Sequence, residues 1–364
     1  MPFVRSVAAE LRLACTFSIL GITILCWAGF LAPALYAQVG SSESATFTNP
    51  LKDSGADPWV FMWKGNYYYM NTTGRNLTLW KTQNITDLHD AEKRVVWTPE
   101  SGQQWSKDVW APELYRWDDK WYIYFAADNG KNASHRIFVI ENPSDDPMDG
   151  EWTFKGKVSD ATDRWAIDAD VFEVKGRHYM VWSGWEGDAD GEQDIFIAHM
   201  NNPWTIDSPR MLISTPNHRW EKHGNLPDKR HVNVNEGPTA LIHEKDIFIV
   251  YSGSGCWTDH YSLGALRSTI DSDLLEAGSW KKLPHPLLKT SRKAQAFGPG
   301  HNGFFKSPDG TEDWLIYHAN PQSHKGCGGH RSLRIQPFHW NKDGTPNFGK
   351  PVRLGQRLPQ PSRK

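Results

Sequence analysis

Cysteine is scarce in these 364 residues: there are four, and two of them, Cys15 and Cys26, lie in an apolar N-terminal stretch. Cys256 and Cys327 remain, too few for a disulfide framework and without the short spacing of a zinc site. Charge of one sign is missing too. Forty basic residues against 42 acidic ones leave a formal net charge of -2, which argues against a partner held through nucleic-acid phosphates. Helix-period segments are absent from the region that follows the N-terminal stretch, so strands must build the core. What the chain has in quantity is tryptophan, 19 residues, in a composition of 39% hydrophobic and 23% charged residues that suits a soluble globular protein. Such aromatic loading serves stacked sheet layers, flat platforms for a ligand, or both.

Arg5 and Arg12 stand before or at the edge of an apolar run from Leu13 to Leu31, and small residues follow through Ala37. That is the layout of a secretory signal peptide over residues 1–37, with cleavage expected after Ala37 and a secreted or periplasmic mature chain, 38–364. A retained membrane anchor is the rival, because the run approaches the ~20 residues that span a bilayer. In an exported chain Cys256 and Cys327 can pair; two free thiols are the alternative.

Beyond residue 44 a pattern recurs five times. Asp57-Pro58-Trp59-Val60-Phe61, Trp110-Ala111-Pro112-Glu113-Leu114, Ile167-Asp168-Ala169-Asp170-Val171, Glu236-Gly237-Pro238-Thr239-Ala240 and His301-Asn302-Gly303-Phe304-Phe305 each open a unit of about four strand-sized runs joined by turns. A four-stranded sheet repeated at this period cannot bury both faces alone, and stacking such sheets radially makes a β-propeller. The expected fold is therefore all-β, a single five-bladed β-propeller over 38–364, with a β-sandwich as the rival. Ala45–Thr48 is expected to pair with the last blade and close the ring, and Pro351–Leu354 to be that blade's outer strand.

In a propeller the first strand of each blade lines the axis, so Asp57, Trp110, Asp168, Glu236 and His301 should converge at one end of it. Two carboxylates flanking a sugar-sized gap can cleave a glycosidic bond, one protonating the leaving oxygen and the other activating water or attacking the anomeric carbon. A third acid nearby raises the donor's pKa by like-charge repulsion. Each residue also has a plainer reading. Asp57-Pro58 can simply begin a turn, Glu236 can sit solvated in a loop, and His301-Asn302-Gly303 can be a turn. Strand alternation does not separate Asp168 from Asp170. The acidic run 186–194 lacks the full spacing of a calcium loop, and the basic run 222–231 reads as a long solvated loop.

Gly55-Ala56-Asp57-Pro58, Trp110-Ala111-Pro112-Glu113, Ala166-Ile167-Asp168, Asn235-Glu236-Gly237-Pro238 and Gly298-Pro299-Gly300-His301-Asn302 together resemble glycoside hydrolase family 43. The resemblance covers roughly residues 50–355 and implies a five-bladed propeller that hydrolyses arabinose- and xylose-containing plant polysaccharides with inversion. It implies Asp57 as general base, Glu236 as general acid, and Asp168 as the acid that tunes and orients Glu236. His301 matches an axial histidine that in many members sits near a bound calcium or its waters; no cofactor is implied for the chemistry itself. Asp163 to Asp168, Trp182 to Gly187, Tyr317-His318-Ala319-Asn320 and Arg334 to Phe338 resemble the exo-acting α-L-arabinofuranosidases. On that likeness Trp110 walls the terminal arabinose and Arg334 donates to its hydroxyls; blade packing and an ion pair are the alternatives. The implied partner is a plant cell-wall polysaccharide or arabino-oligosaccharide, with no nucleic acid and no membrane after signal cleavage. A β-D-xylosidase, an endo-arabinanase and a catalytically silent sugar-binding propeller are the rivals. Two departures stand out. Asp170 adds a fourth carboxylate, and Cys256 occurs where a small polar residue is usual, which weakens the case for its pairing.

Overall fold

A computed structural model describes residues 45–189 and 191–363, and the expected signal peptide and its cleavage site lie outside the described residues. Among the described residues the alternating and continuous apolar runs form 23 strands in chain order, interrupted only by single-turn 3-10 segments. They assemble into five sheets (blades I to V) and one two-stranded ribbon. The innermost strands are Trp59–Trp63, Lys107–Trp117, Ala166–Val174, Asn235–His243 and Phe297–Lys306. Each touches the next, and the fifth touches the first, so the ring is closed. Blades I, II, IV and V have four antiparallel strands; in blade III both Thr205–Ile206 and Met211–Ser214 pair with the third strand, making five.

The tryptophans explain why the sheets stack. A separate apolar cluster fills each of the five seams between neighbouring blades. Trp59, Trp121, Trp152, Trp182, Trp280 and Trp314 lie in these seams, so most of the aromatic loading holds blade to blade. A sixth, small cluster of Ala126, Trp165, Ile167 and Trp185, with Trp110 against it, stands apart from them. Those aromatics belong to the site.

Closure differs from expectation in two places. Thr46–Thr48 pairs with the C-terminal Arg357–Pro359 rather than with a strand of the last blade. It is the segment after it that reaches blade V: Asn49 exchanges hydrogen bonds with the Ile335 backbone, Leu333 is bracketed by Leu51 and Lys52, and the Gly55 N–H donates to the Arg331 carbonyl. The outer strand of blade V is Pro346–Asn347, not Pro351–Leu354. The latter cannot form a ladder, because Pro351 has no N–H and the N–H groups of Val352 and Leu354 are taken by the Gln336 side chain and the Ala294 carbonyl.

The inner strands share one irregularity that positions everything below. In blades II to V the register breaks at Trp110/Glu113, Ile167/Asp170, Glu236/Thr239 and Gly300/Gly303. At each break one residue takes a left-handed conformation: Ala111 (φ 41), Asp168 (φ 56), Gly237 (φ 55) and His301 (φ 48). Asp57 (φ 54) takes it just before the inner strand of blade I. Non-glycine residues rarely adopt this region, and bulges that do so re-aim side chains next to functional sites.

Candidate active site

A cavity of about 390 Å³ opens at the bulged ends of the inner strands, lined by residues of all five blades. Asp57, Trp110, Asp168, Glu236 and His301, predicted to meet, all line it. They do not occupy equivalent places. By register Glu236 is equivalent to Trp110, Ile167 and Gly300, whereas Asp168 is equivalent to Ala111, Gly237 and His301. The acids of blades III and IV are offset by one residue, so the shared bulge presents them on different sides of the break.

Asp57 is buried and surrounded by donors. Arg331 donates from Nη1 to its Oδ1 at 2.6 Å, and His301 Nδ1 lies 3.2 Å from the same oxygen. The Asp57 backbone N–H donates to His318 Nδ1 at 3.1 Å. That nitrogen is therefore unprotonated, so His318 is the neutral Nε2–H tautomer and its 3.5 Å approach to Oδ1 is not an ion pair. Burial pushes the Asp57 carboxyl up, but Arg331, then His301 and the Thr72 hydroxyl, hold it well below the usual carboxylate range, and the neutral His318 adds no charge to them.

Glu236 has the opposite balance. Burial comes first, Tyr261 and Arg331 oppose it, Asp57 adds to it, and the carboxyl is pushed up to about 7. Burial, then Glu236 and Asp57, raise Asp168 well above its ordinary value. Asp168 Oδ2 accepts the Gly237 N–H at 3.0 Å, so the residue next to Glu236 is tied across the seam. Glycine suits position 237: a Cβ there would sit tightly against the His301 ring at 3.1 Å, in addition to the strain of positive φ.

The walls are aromatic. Trp110 stacks on His135 with centroids 4.1 Å apart, and Trp165 stacks on Trp185 at 4.7 Å while its Nε1 donates to the Asn132 carbonyl. On the other side stand Leu226, Arg230 and Val232, with Trp257 and the Cys256–Cys327 disulfide. The basic run expected to be a solvated loop thus supplies part of the rim, and the doubtful cysteine pair is bonded beside the cavity.

Arg334 is a correction. It is completely buried, and it donates to Ser332 Oγ, Ala294 O and Gln295 O, so it packs between blades IV and V instead of reaching a sugar. Arg331, three residues earlier and just before the strand Ser332–Trp340, lines the cavity, as does Arg230 of the rim, and it is Arg331 that bonds Asp57. The signal was its place at the strand mouth. Asp170 is not in the lining either, because the bulge breaks the alternation that would have aligned it with Asp168.

Calcium takes six to eight oxygen ligands. His301 offers nitrogens, Asp57 Oδ1 is already held by Arg331, and among the described residues no group of three or more His, Cys, Asp or Glu is placed to hold a metal. These side chains do not form a calcium cage, and no step below runs through an ion.

The model of the glycosyl hydrolases family 43 matches residues 47–346. An extracellular exo-alpha-(1->5)-L-arabinofuranosidase of Streptomyces avermitilis is 37% identical over 331 residues, 88% of this chain and 66% of that protein, so the chain spans about two thirds of that relative. The alpha-L-arabinofuranosidase B of Pyricularia oryzae is 34% identical over 360 residues, 95% of this chain and 71% of its own length. Among solved structures, an alpha-L-arabinofuranosidase from Lactobacillus brevis superimposes with a TM-score of 0.79 at 34% identity, covering 85% of this chain and 98% of that one. With the closed ring of five blades, these matches establish that the chain belongs to glycoside hydrolase family 43.

Proposed function

We propose that the protein is an exported, inverting exo-α-L-arabinofuranosidase that releases terminal α-L-arabinofuranosyl units from arabinan- or arabinoxylan-type saccharides. The observation that carries this reading is the electrostatic split across one cavity: Asp57 is held ionised while Glu236 keeps its proton to about pH 7. Carboxyls pushed apart in this way take the roles of base and acid. Glu236 donates its proton to the glycosidic oxygen while Asp57 takes a proton from water on the opposite face of the sugar, through an oxocarbenium-like transition state. Asp168 holds Gly237, and through it the backbone that carries Glu236. Trp110 and Trp165 wall the sugar, and Arg331 keeps the base charged.

Exo action is supported by the cavity's size, near the low end of the roughly 300–1,000 Å³ of small-ligand sites, and by the names of the relatives. Export is supported by the apolar run 13–31 and by the extracellular relative. The test is hydrolysis of an aryl α-L-arabinofuranoside beside an aryl β-D-xyloside, with the first-formed anomer followed by proton NMR. β-L-arabinofuranose as the initial product is expected. Retention of configuration, a preference for the xyloside, or turnover of neither substrate nor arabinan would overturn the reading.

A further inference from the structure

Near Asp168, but outside the cavity lining, Glu113 and Asp170 are buried and Tyr115 is partly buried between them, and the acid–base reading uses none of the three. The Tyr115 hydroxyl contacts both carboxyls: Asp170 Oδ1 at 2.6 Å and Glu113 Oε2 in a still shorter hydrogen bond. A phenol carries one hydrogen. If both carboxyls were ionised, one contact would set a carboxylate oxygen against the hydroxyl lone pairs with no proton between them. Both contacts are satisfied only when one carboxyl brings its own proton.

The surroundings decide which. Asp170 Oδ2 accepts the Ala240 N–H of blade IV at 3.0 Å, a donor that favours the anion. Among the described hydrogen bonds Glu113 has no backbone donor, and it faces Asp170 and Asp168 from blade III beside Tyr115 of its own strand. The proton belongs on Glu113, which can give it to the Tyr115 oxygen or directly to the Asp170 carboxylate it also contacts, while the Tyr115 O–H serves Asp170. Burial, followed by the Asp170 charge, raises Glu113 well above its ordinary value, whereas Asp170 rises only to about 6, because Tyr115, the Ala240 N–H and Glu113 offset part of its burial.

The same register position carries links around the ring. Glu113, Asp170 and Thr239 are equivalent; Asp170 reaches the Ala240 N–H, and Thr239 donates to the Asn302 carbonyl of blade V. Asp168 and Asp170 thus clamp two N–H groups, Gly237 and Ala240, of the strand Asn235–His243 that carries Glu236.

We propose that Glu113, Tyr115 and Asp170 form a one-proton relay whose single negative charge, fixed next to Asp168, keeps the proton on the Asp168–Glu236 pair and whose Ala240 bond positions the Glu236 strand. Its kinetic arm rests on Glu236 being the general acid. Glu113→Gln replaces a neutral acid with its neutral isostere and keeps the Asp170 charge; Glu113→Gln with Asp170→Asn keeps the shape and removes the charge. On an aryl β-D- or α-L-pentoside that the wild type turns over, the alkaline fall of kcat/KM is expected at the wild-type pH in Glu113→Gln and about one pH unit lower in the double variant. An infrared difference spectrum, wild type minus Glu113→Gln at pH 8, is expected to contain a protonated carboxylic acid band. This second readout does not depend on activity, so it stands apart from the catalytic assignment and remains available if the double variant does not fold. Absence of the band, a double variant with the wild-type profile, or a Glu113→Gln profile shifted as far as the double variant's would each overturn the proposal.

Discussion

Replacing Arg331 with methionine removes the guanidinium that bonds Asp57 while keeping most of the apolar stem. The guanidinium sits 2.6 Å from Asp57 Oδ1 with both side chains largely buried, so little solvent screens the pair. An opposite charge at this range shifts a carboxyl by about 1–3 units, or about 1.4–4 kcal/mol at 1.36 kcal/mol per unit. Without it, burial still pushes Asp57 up, opposed by His301 and, more weakly, by the Thr72 hydroxyl, while His318 is neutral. Asp57 must be ionised to accept a proton from water, so kcat/KM should acquire an acid-side fall within about pH 4–6 that the wild type lacks in that range. Stability carries the same sign. The folded value of Asp57 lies below the unfolded one, so its contribution is present above the unfolded pKa of about 4 and is lost as pH falls through the folded value. Urea melts should therefore show the variant less stable by about 1.4–4 kcal/mol at pH 7, with a smaller gap toward pH 3. If the acid limbs of variant and wild type superimpose, Arg331 does not set the charge of the base and the argument fails.

Glu236→Gln should lower kcat/KM by about 10²–10⁴ on an arabino-oligosaccharide and much less on an aryl arabinofuranoside whose leaving group needs no proton; steady-state kinetics on both substrates checks this. The same substitution should stabilise the fold. A glutamic acid raised to about 7 binds a proton more tightly when folded, so its ionisation opposes folding above the unfolded pKa, by about 3 kcal/mol once pH exceeds the folded value. Denaturant melts at pH 8 and pH 4 should show that gain only at the higher pH. Gly237→Ala should cost about 1–3 kcal/mol and most activity, because its Cβ would press the His301 ring at positive φ; a melt and one rate measurement suffice. Removing the disulfide by Cys256→Ser with Cys327→Ser opens a loop with a sequence separation of 71, worth about 4 kcal/mol by the chain-entropy relation, and calorimetry without reductant would detect it.

The blades were legible because their signal is local and repeated. An apolar run, a turn and another apolar run recur at a steady period, and every seam then fills with the aromatics those runs supply. The ends of the ring were less legible, since Thr46–Thr48 and the true outer strand of blade V depend on which N–H groups distant residues have already taken. The same reason hid the arginine. Arg331 and Arg334 are three apart in one segment, and only the strand boundary at Ser332 sends one to the cavity and the other between blades. Glu113 was read only as part of a motif, for its partner Asp170 comes from another blade and its proton from a count of hydrogen bonds that no linear pattern contains.

Asp168 and Asp170 show how a single backbone break separates two carboxylates that strict alternation would have made equivalent. In an unbroken strand residues two apart share a face, and the pair would have met the substrate together. The bulge turns Asp168 toward Glu236 and Asp57 and leaves Asp170 with Tyr115 and Glu113. The same offset places Glu236 one residue before the left-handed position and Asp168 on it. Four equivalent bulges, and a left-handed residue at the same end of blade I, could have presented five equivalent side chains. Because an acid stands on the left-handed residue in blades I and III, just before it in blade IV and beyond it in blades II and III, one repeated backbone feature sets Asp57, Glu236 and the proposed Glu113–Asp170 proton-sharing pair in different electrostatic surroundings. Differences in charge state of this kind are what acid–base cleavage of a glycosidic bond requires, and here they arise from position along the repeat rather than from any change of fold.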